Sequence, residues 1–271
     1  MRTSWVLCNS TEENQIAELR AFYTLWLREV KRYLRDRTRV VSSFVQPLLW
    51  LVIFGAGFGM RFALPGGSYQ QYLFPGIIGQ TLLFTAMFMG ISVIWDRDFG
   101  FLKEVLVAPV SRITLFLGKM VGDSTDALIQ GLIVFALGAL LGISISPVGF
   151  ILSLPIMLLI TFGLVSIGLT IASFMGSLES FGAIQTFVNL PLFFLSGALF
   201  PINGPLAQGV PGWLQTASSF NPLTYGVDAL RTVLLNGTYS SLQPLWINLA
   251  VIGGFDLVMI AIGTWAFGRM K

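Results

Sequence analysis

Apolar residues along this chain gather into six long blocks separated by short polar or charged stretches. The blocks run over about 40–60, 74–94, 113–141, 148–174, 181–200 and 245–267, each close to the ~20 residues an α-helix needs to cross a hydrocarbon core. The third and fourth exceed a minimal span, so their ends should project or tilt. Nothing reads as the alternating ~10-residue strands of a membrane barrel. The pattern changes before the first block. Leu19, Phe22, Tyr23, Trp26, Leu27, Val30, Tyr33 and Leu34 recur at helical spacing, with Arg20, Arg28, Lys31, Arg32 and Arg35 on the rest of the wheel. Such a stretch predicts an amphipathic helix lying in the membrane interface. The alternative is an extended cytoplasmic end of the first span.

Two connections carry patterns of their own. After the second block, Asp96 and Asp98 suit a helix N-terminus, where free N–H groups favour acids. Phe99, Leu102, Val105 and Leu106 then form a short apolar stripe, and Pro109 disfavours helix at Ala108. That predicts a short cytoplasmic helix, either docked in a groove on a partner protein or resting on lipid headgroups. Between the fifth and sixth blocks, Pro205, Pro211 and Gly212 interrupt a long apolar connection, and Asn221-Pro222 supplies an N-cap and N1 pair. Leu223, Val227, Leu230 and Leu234 line one side of the helix that follows, and Asn236-Gly237 ends it. Asp228 and Arg231, three apart, can pair. Short helices dipping back into the outer leaflet are expected, with a cap lying on the membrane as the plainer option.

Composition agrees with the blocks. With 55% hydrophobic residues, 11% charged residues and a mean hydropathy of +0.78, the chain lacks the charge to cover a soluble surface. The fold class expected is all-α integral membrane, and the polar start (Glu12, Glu13, Asn14) argues against a cleavable signal peptide. Fourteen of the 16 basic residues fall before the first block, between the second and third or just inside the third, or at the C-terminus; Arg61 and Arg231 are the exceptions. By the positive-inside rule both termini of this multi-pass chain are cytoplasmic. No nucleic-acid partner is expected.

Charges within the blocks are costly, at roughly 2.5–3.5 kcal/mol each on insertion scales. Asp256 lies behind Gly253-Gly254, a pair that permits close helix approach. It reads as hydrogen-bonded to another helix or protonated, or else as a contact for a cation or proton. Lys119, Asp123 and Asp126 share one helix face, with Lys119 placed to pair with Asp123. They read as a structural ion cluster, or as a substrate contact. Glu179 sits in a short turn and reads as solvated. The absence of histidine removes the commonest general base and zinc ligand, and the single Cys8 excludes an internal disulfide. An enzyme would need a carboxylate pair such as Asp123 and Asp126, which defines no reaction by itself. An ion-coupled carrier would use Asp256 and Asp123, but no inverted repeat or matching pair of broken helices accompanies them.

Two stretches resemble the ABC-2 type permeases, in particular those like the daunorubicin-resistance export permease. One is Asp98-Phe-Gly-Phe-Leu-Lys-Glu-Val-Leu-Val-Ala-Pro-Val-Ser-Arg112 with Leu117-Gly-Lys119. The other is Phe194-Leu-Ser-Gly-Ala-Leu-Phe-Pro201, with Pro211-Gly-Trp-Leu214 and Phe220-Asn-Pro-Leu-Thr-Tyr-Gly-Val-Asp-Ala-Leu-Arg231. Pro205-Leu-Ala-Gln-Gly-Val210 departs from the pattern by lengthening the approach to Pro-Gly-Trp.

The resemblance implies a cytoplasmic tail and interfacial helix over 1–39 and a single transmembrane domain over 40–271. It makes 98–107 a coupling helix that seats on an ATPase, with Arg97, Asp98, Phe99, Gly100, Leu102, Lys103, Glu104, Leu106, Pro109 and Arg112 as coupling residues. Pro201, Pro211, Trp213, Asn221, Pro222, Tyr225, Asp228 and Arg231 would belong to the re-entrant outer motif. The implied assembly is a homodimer or pseudo-dimer of permeases with two ABC ATPase subunits, among membrane lipids. The implied cargo is hydrophobic or amphiphilic, a drug or lipid, or alternatively a polysaccharide or lipo-oligosaccharide. A phosphate-binding loop needs Gly-x4-Gly-Lys-Ser/Thr. Here Gly118-Lys119 is followed by Met120, and position 113 is isoleucine. ATP and Mg are therefore expected on the partner, and no cofactor or metal on this chain.

Overall fold

The computed structural model describes residues 2–59, 68–100, 110–143, 145–204, 207, 209–235 and 241–270, with side chains from residue 15 onward except at 37–44, 56, 58 and 59. Among them there are ten helices and no strand: α1 (Arg2–Arg35), α2 (Arg37–Gly59), α3 (Tyr69–Phe88), α4 (Ile91–Asp98), α5 (Arg112–Leu140), α6 (Pro147–Phe174), α7 (Leu178–Phe194), α8 (Gly212–Ser219), α9 (Pro222–Leu234) and α10 (Leu245–Arg269). Starts are set by short polar residues that accept from the first free amides. Ser68 forms a capping box with Gln71 on α3, while Ser111, Ser146, Ser177 and Asn221 cap α5, α6, α7 and α9.

Among the described residues, four helical segments are long and apolar enough to cross a membrane: Tyr69–Asp98, Arg112–Leu140, Pro147–Phe174 and Leu245–Arg269. They correspond to the second, third, fourth and sixth blocks. The first block falls in α2, whose described side chains include the apolar run Val45–Gly55. The fifth falls in α7, which ends at Phe194 with 17 residues rather than reaching 200. Its polypeptide then turns through Gly197, whose φ of 71° is left-handed.

The second block is longer than expected because α3 and α4 run nearly end to end, broken only at Met89-Gly90. A Cβ at Gly90 would overlap the Gly168 carbonyl of α6, so the break sits where two backbones touch. Helix α3 is the centre of the bundle. Leu73, Ile77, Ile78, Leu82, Leu83, Ala86 and Met87 are fully enclosed among α5, α6 and α9. Helix α10 packs on α6 and α9 and leaves much of its apolar surface outward, including Leu257 and Val258.

Helix α1 is separate from α2, with a break at Asp36, and so is no simple extension of the first span. Its principal packing partner is α5.

Candidate functional site

In its second and third turns helix α5 carries Gly118-x3-Gly122, and those glycines make a shallow groove. Helix α1 lies in it. A Cβ at Gly118 would come 3.2 Å from Leu25 Cβ, and one at Gly122 would come 2.9 Å from Glu29 Cβ. Trp26 Nε1 donates to Thr125 Oγ1 at 3.1 Å, fixing the register one turn further along. At the start of α5, Ser111 donates its amide N–H and its hydroxyl to Glu18, at 2.7 and 3.1 Å. Hydrogen bonding by Thr114, then by the Ser111 amide, holds the Glu18 carboxyl below the usual carboxylate range.

That close approach buries an ion cluster shared by three helices. Lys119 Nζ on α5 donates to Glu29 Oε1 of α1 at 3.0 Å and to Asp96 Oδ2 of α4 at 2.9 Å. Arg28 pairs with Asp96 and reaches Glu29 Oε1 at 3.5 Å, and Arg32 reaches Glu29 Oε2 at 3.2 Å. The Arg32 guanidinium also lies 5.5 Å from the Trp95 ring centre. Asp123, wholly buried, is a further Coulombic neighbour of Lys119. Burial by itself would raise the Glu29 carboxyl, but Lys119, Arg32 and Arg28 outweigh it and hold it below its ordinary value. One residue beyond Asp96, Arg97 Nη2 donates to the Met175 carbonyl at 2.6 Å, which ties α4 to the turn between α6 and α7.

Several expectations are corrected at this end. Asp96 and Asp98 stand at the C-terminal end of α4, not at a helix N-terminus, because the second block stays helical through Asp98 before Gly100 turns with φ 77°. Against the dipole, Asp96 is held there by Lys119 and Arg28. Lys119 is taken by Glu29 and Asp96 rather than by Asp123, since α1 and α4 bring carboxylates closer than its own helix does. Arg28 and Arg32, expected on the cationic face of α1 opposite its aromatics, turn partly inward to Glu29. Phe99 is highly exposed and Arg112 opens α5. Leu102, Lys103, Glu104, Leu106 and Pro109, with the rest of the expected coupling helix, lie outside the described residues. Glu179 is exposed in the first turn of α7, as expected.

The opposite end is built around α9. At 13 residues it reaches about 20 Å at 1.5 Å per residue, too short to span. It is wedged among α3, α6 and α10 with most of its residues buried, rather than lying on the surface as a cap. Its cap residue Asn221 accepts from the Leu223 amide and donates Nδ2 to the Leu192 carbonyl at 2.7 Å, so it also ties down the end of α7. Pro222 fills N1 and Pro211 precedes α8. Tyr225 Oη donates to the Ser219 carbonyl, while Trp213 stays largely exposed and Pro201 follows the turn after α7.

Asp228 and Arg231 do not pair with each other. Asp228 accepts from the Leu242 and Gln243 amides and from Asn248 Nδ2 at 2.8 Å. Arg231 instead places its guanidinium 3.9 Å from the Tyr72 ring centre and donates to the Gly197 carbonyl. Tyr69 and Tyr72 donate their hydroxyls to the Leu199 and Gly197 carbonyls, so the start of α3 holds the turn after α7.

Asp256 faces α6, where a Cβ at Gly163 would collide with its Oδ1. The close approach is therefore supplied by Gly163. Gly253 and Gly254 meet nothing within 4 Å in this chain. No described side chain hydrogen-bonds either carboxylate oxygen, and the Gly163 backbone is the polar group beside it. Asp126 is buried on α5 below Asp123.

Glu29 was the main residue missed from sequence. Its signal was an acid set among Arg28, Lys31 and Arg32, facing a Gly-x3-Gly on another helix. Tyr69 and Tyr72 were missed because polar residues at a block edge read as boundary markers.

Comparison with known proteins adds a third line. Residues 20–235 match the ABC-2 type transporter family. The chain is 33% identical over 240 residues to the putative transport permease ycf38 of Cyanophora paradoxa, covering 86% of this chain and 81% of the relative. It is 28% identical over 225 residues to nodulation protein J of Rhizobium leguminosarum bv. trifolii, covering 82% and 81%. It is 23% identical over 215 residues to the probable doxorubicin resistance ABC transporter permease protein DrrC of Mycobacterium tuberculosis, covering 78% and 75%.

Proposed function

This chain belongs to the ABC-2 type transporter family, a transmembrane transport permease, and from that premise we propose that it is the membrane half of an ATP-driven exporter. In this reading two permease copies assemble with two ATPase subunits carried on separate chains, and this chain holds no nucleotide. Six spans with both termini cytoplasmic fit the basic-residue distribution, with α2 and α7 completing the four long helices.

The observation that carries the mechanism is the buried cluster joining Glu29, Asp96 and Lys119. It clamps α1, α4 and α5 together just before the 98–107 segment, which would seat on the ATPase. When ATP closes the two ATPases, force on that segment passes through Asp96 into α3 and α4, and through Lys119 into α5. The three helices move as one unit, because separating them would leave buried charges unpaired. The outer assembly of α8 and α9 would then open or close the exit between the two permeases.

A hydrophobic or amphiphilic cargo fits best. Val45, Leu48, Leu49, Val52 and Ile53 of α2 and Phe187 and Leu190 of α7 present outward apolar faces that two copies could share with such a substrate. The name of the DrrC relative points the same way, while that of the nodulation relative keeps a lipo-oligosaccharide or polysaccharide as the second reading.

The test is reconstitution with a co-expressed ATP-binding protein and assay of ATP-dependent efflux of an amphiphilic dye. Efflux that stops with an ATP-binding mutant of the partner, or with a charge swap at Lys103 and Glu104, supports the reading. Efflux that follows a proton gradient and needs Asp256 but no ATPase would replace it with an ion-coupled carrier.

A further inference from the structure

A cavity of about 220 Å³ opens beside α9 at the end opposite the ion cluster. Ser219, Gly204 and Gln243 stand at its exposed mouth, and Thr224, Asp228 and Asn248 form its buried floor. This space equals roughly seven waters at ~30 Å³ each, well under the 300–1,000 Å³ of a drug-sized pocket. It suits a headgroup and excludes a whole lipid or drug.

Beside Leu242, Gly204 and the Gln243 carboxamide at the mouth, the polar part of the wall is mainly acceptors. Ser219 Oγ spends its hydrogen on the Gln215 carbonyl, Thr224 Oγ1 on Ser218 and Tyr225 Oη on Ser219, so each hydroxyl turns only lone pairs to the cavity. Asn203 donates Nδ2 to Ser218 Oγ, which leaves its carbonyl oxygen on the acceptor side. Asn248, wholly buried, gives Nδ2 to Asp228, and its Oδ1 has no donor at all. Asp228 adds a negative charge whose partners here are neutral N–H groups from Leu242, Gln243 and Asn248. The nearby cation, Arg231, is committed to Gly197 and the Tyr72 ring and does not line the space.

A cavity this rich in acceptors repels anions and calls for a ligand that donates several hydrogen bonds and carries positive charge. A divalent metal is a poor match, since a single carboxylate lies in the lining. We propose that this cavity binds a primary ammonium group, whose three N–H donors meet the floor acceptors, presented by a lipid headgroup or by a small free amine. The site stands on its own geometry and does not depend on the ATP-driven reading.

The test uses the full chain in phosphatidylcholine nanodiscs. Ethanolamine is titrated calorimetrically against its neutral counterpart, ethylene glycol. In a second arm, nanodiscs of mixed phosphatidylethanolamine and phosphatidylcholine are examined by native mass spectrometry for the lipid retained. Saturable ethanolamine binding at least tenfold tighter than glycol supports the site with a free amine as ligand. Selective retention of phosphatidylethanolamine without free-amine binding supports it with a lipid as ligand. Asp228→Asn should abolish either signal. Because Asp228 also anchors 242–248, Ser219→Trp, which blocks the mouth without touching the floor, must weaken it at least tenfold as well. Equal affinity for glycol, no selectivity in either arm, or undiminished binding by a folded Ser219→Trp protein would overturn the proposal.

Discussion

Replacing Lys119 by methionine keeps most of the length of the side chain and removes one charge from the buried cluster. Lys119 bridges Glu29 at 3.0 Å and Asp96 at 2.9 Å, and all three side chains are shielded, with relative exposures of 7%, 3% and 12%. Removing one partner of a buried pair costs about 3–5 kcal/mol, because the carboxylate left behind keeps its desolvation penalty. Two carboxylates lose a partner here, but neither is stripped bare. Glu29 keeps Arg28 and Arg32, and Asp96 keeps Arg28. The low end, about 3 kcal/mol, is therefore expected. Adding Glu29→Gln to Lys119→Met removes one stranded charge, so the double variant should be more stable than the sum of the singles by about 1–3 kcal/mol. Unfolding in mixed detergent–SDS micelles, followed by tryptophan fluorescence, measures both quantities. A loss under about 1 kcal/mol for Lys119→Met, or strict additivity in the double variant, would refute the claim that this cluster clamps the three helices.

Other consequences follow from the same packing. Gly122→Val should push α1 off α5, since even a Cβ would sit 2.9 Å from Glu29 Cβ; a loss of about 1–3 kcal/mol in the same unfolding assay checks it. Asn221→Ala removes the α9 cap and its bond to Leu192, so a loss of about 1–2 kcal/mol should appear with increased proteolysis near 195–204. Asp256→Leu should leave the melting temperature unchanged or raised, because the desolvation of the carboxylate outweighs its contact with the Gly163 backbone; a fall of several degrees would show that the contact outweighs desolvation. The Glu29 carboxyl is held below its ordinary 4.5 in the folded protein, so its stabilisation is complete above that value and fades as pH falls through the lower folded value. Wild-type stability should thus drop below about pH 4.5 more steeply than that of Glu29→Gln, read from melting curves across pH.

The order of apolar and polar residues determined by itself that this is a helical membrane protein. Block length against bilayer thickness, and the crowding of arginine and lysine before the first block and between the second and third, are local and additive, and so survive without coordinates. The helix start at Asn221 was legible for the same reason, since a cap bonds within its own first turn. Charge partnership was not. Spacing on one helix suggested Lys119 with Asp123 and Asp228 with Arg231, yet both pairings are displaced by groups far off in sequence, Glu29 and Asp96 for one and Leu242, Gln243 and Asn248 for the other. Glycine was equally ambiguous, with Gly253-Gly254 facing open space while Gly118, Gly122 and Gly163 make the close approaches. A buried charge or an empty Cβ position takes its meaning from whatever packs against it, and only the tertiary structure decides what that is.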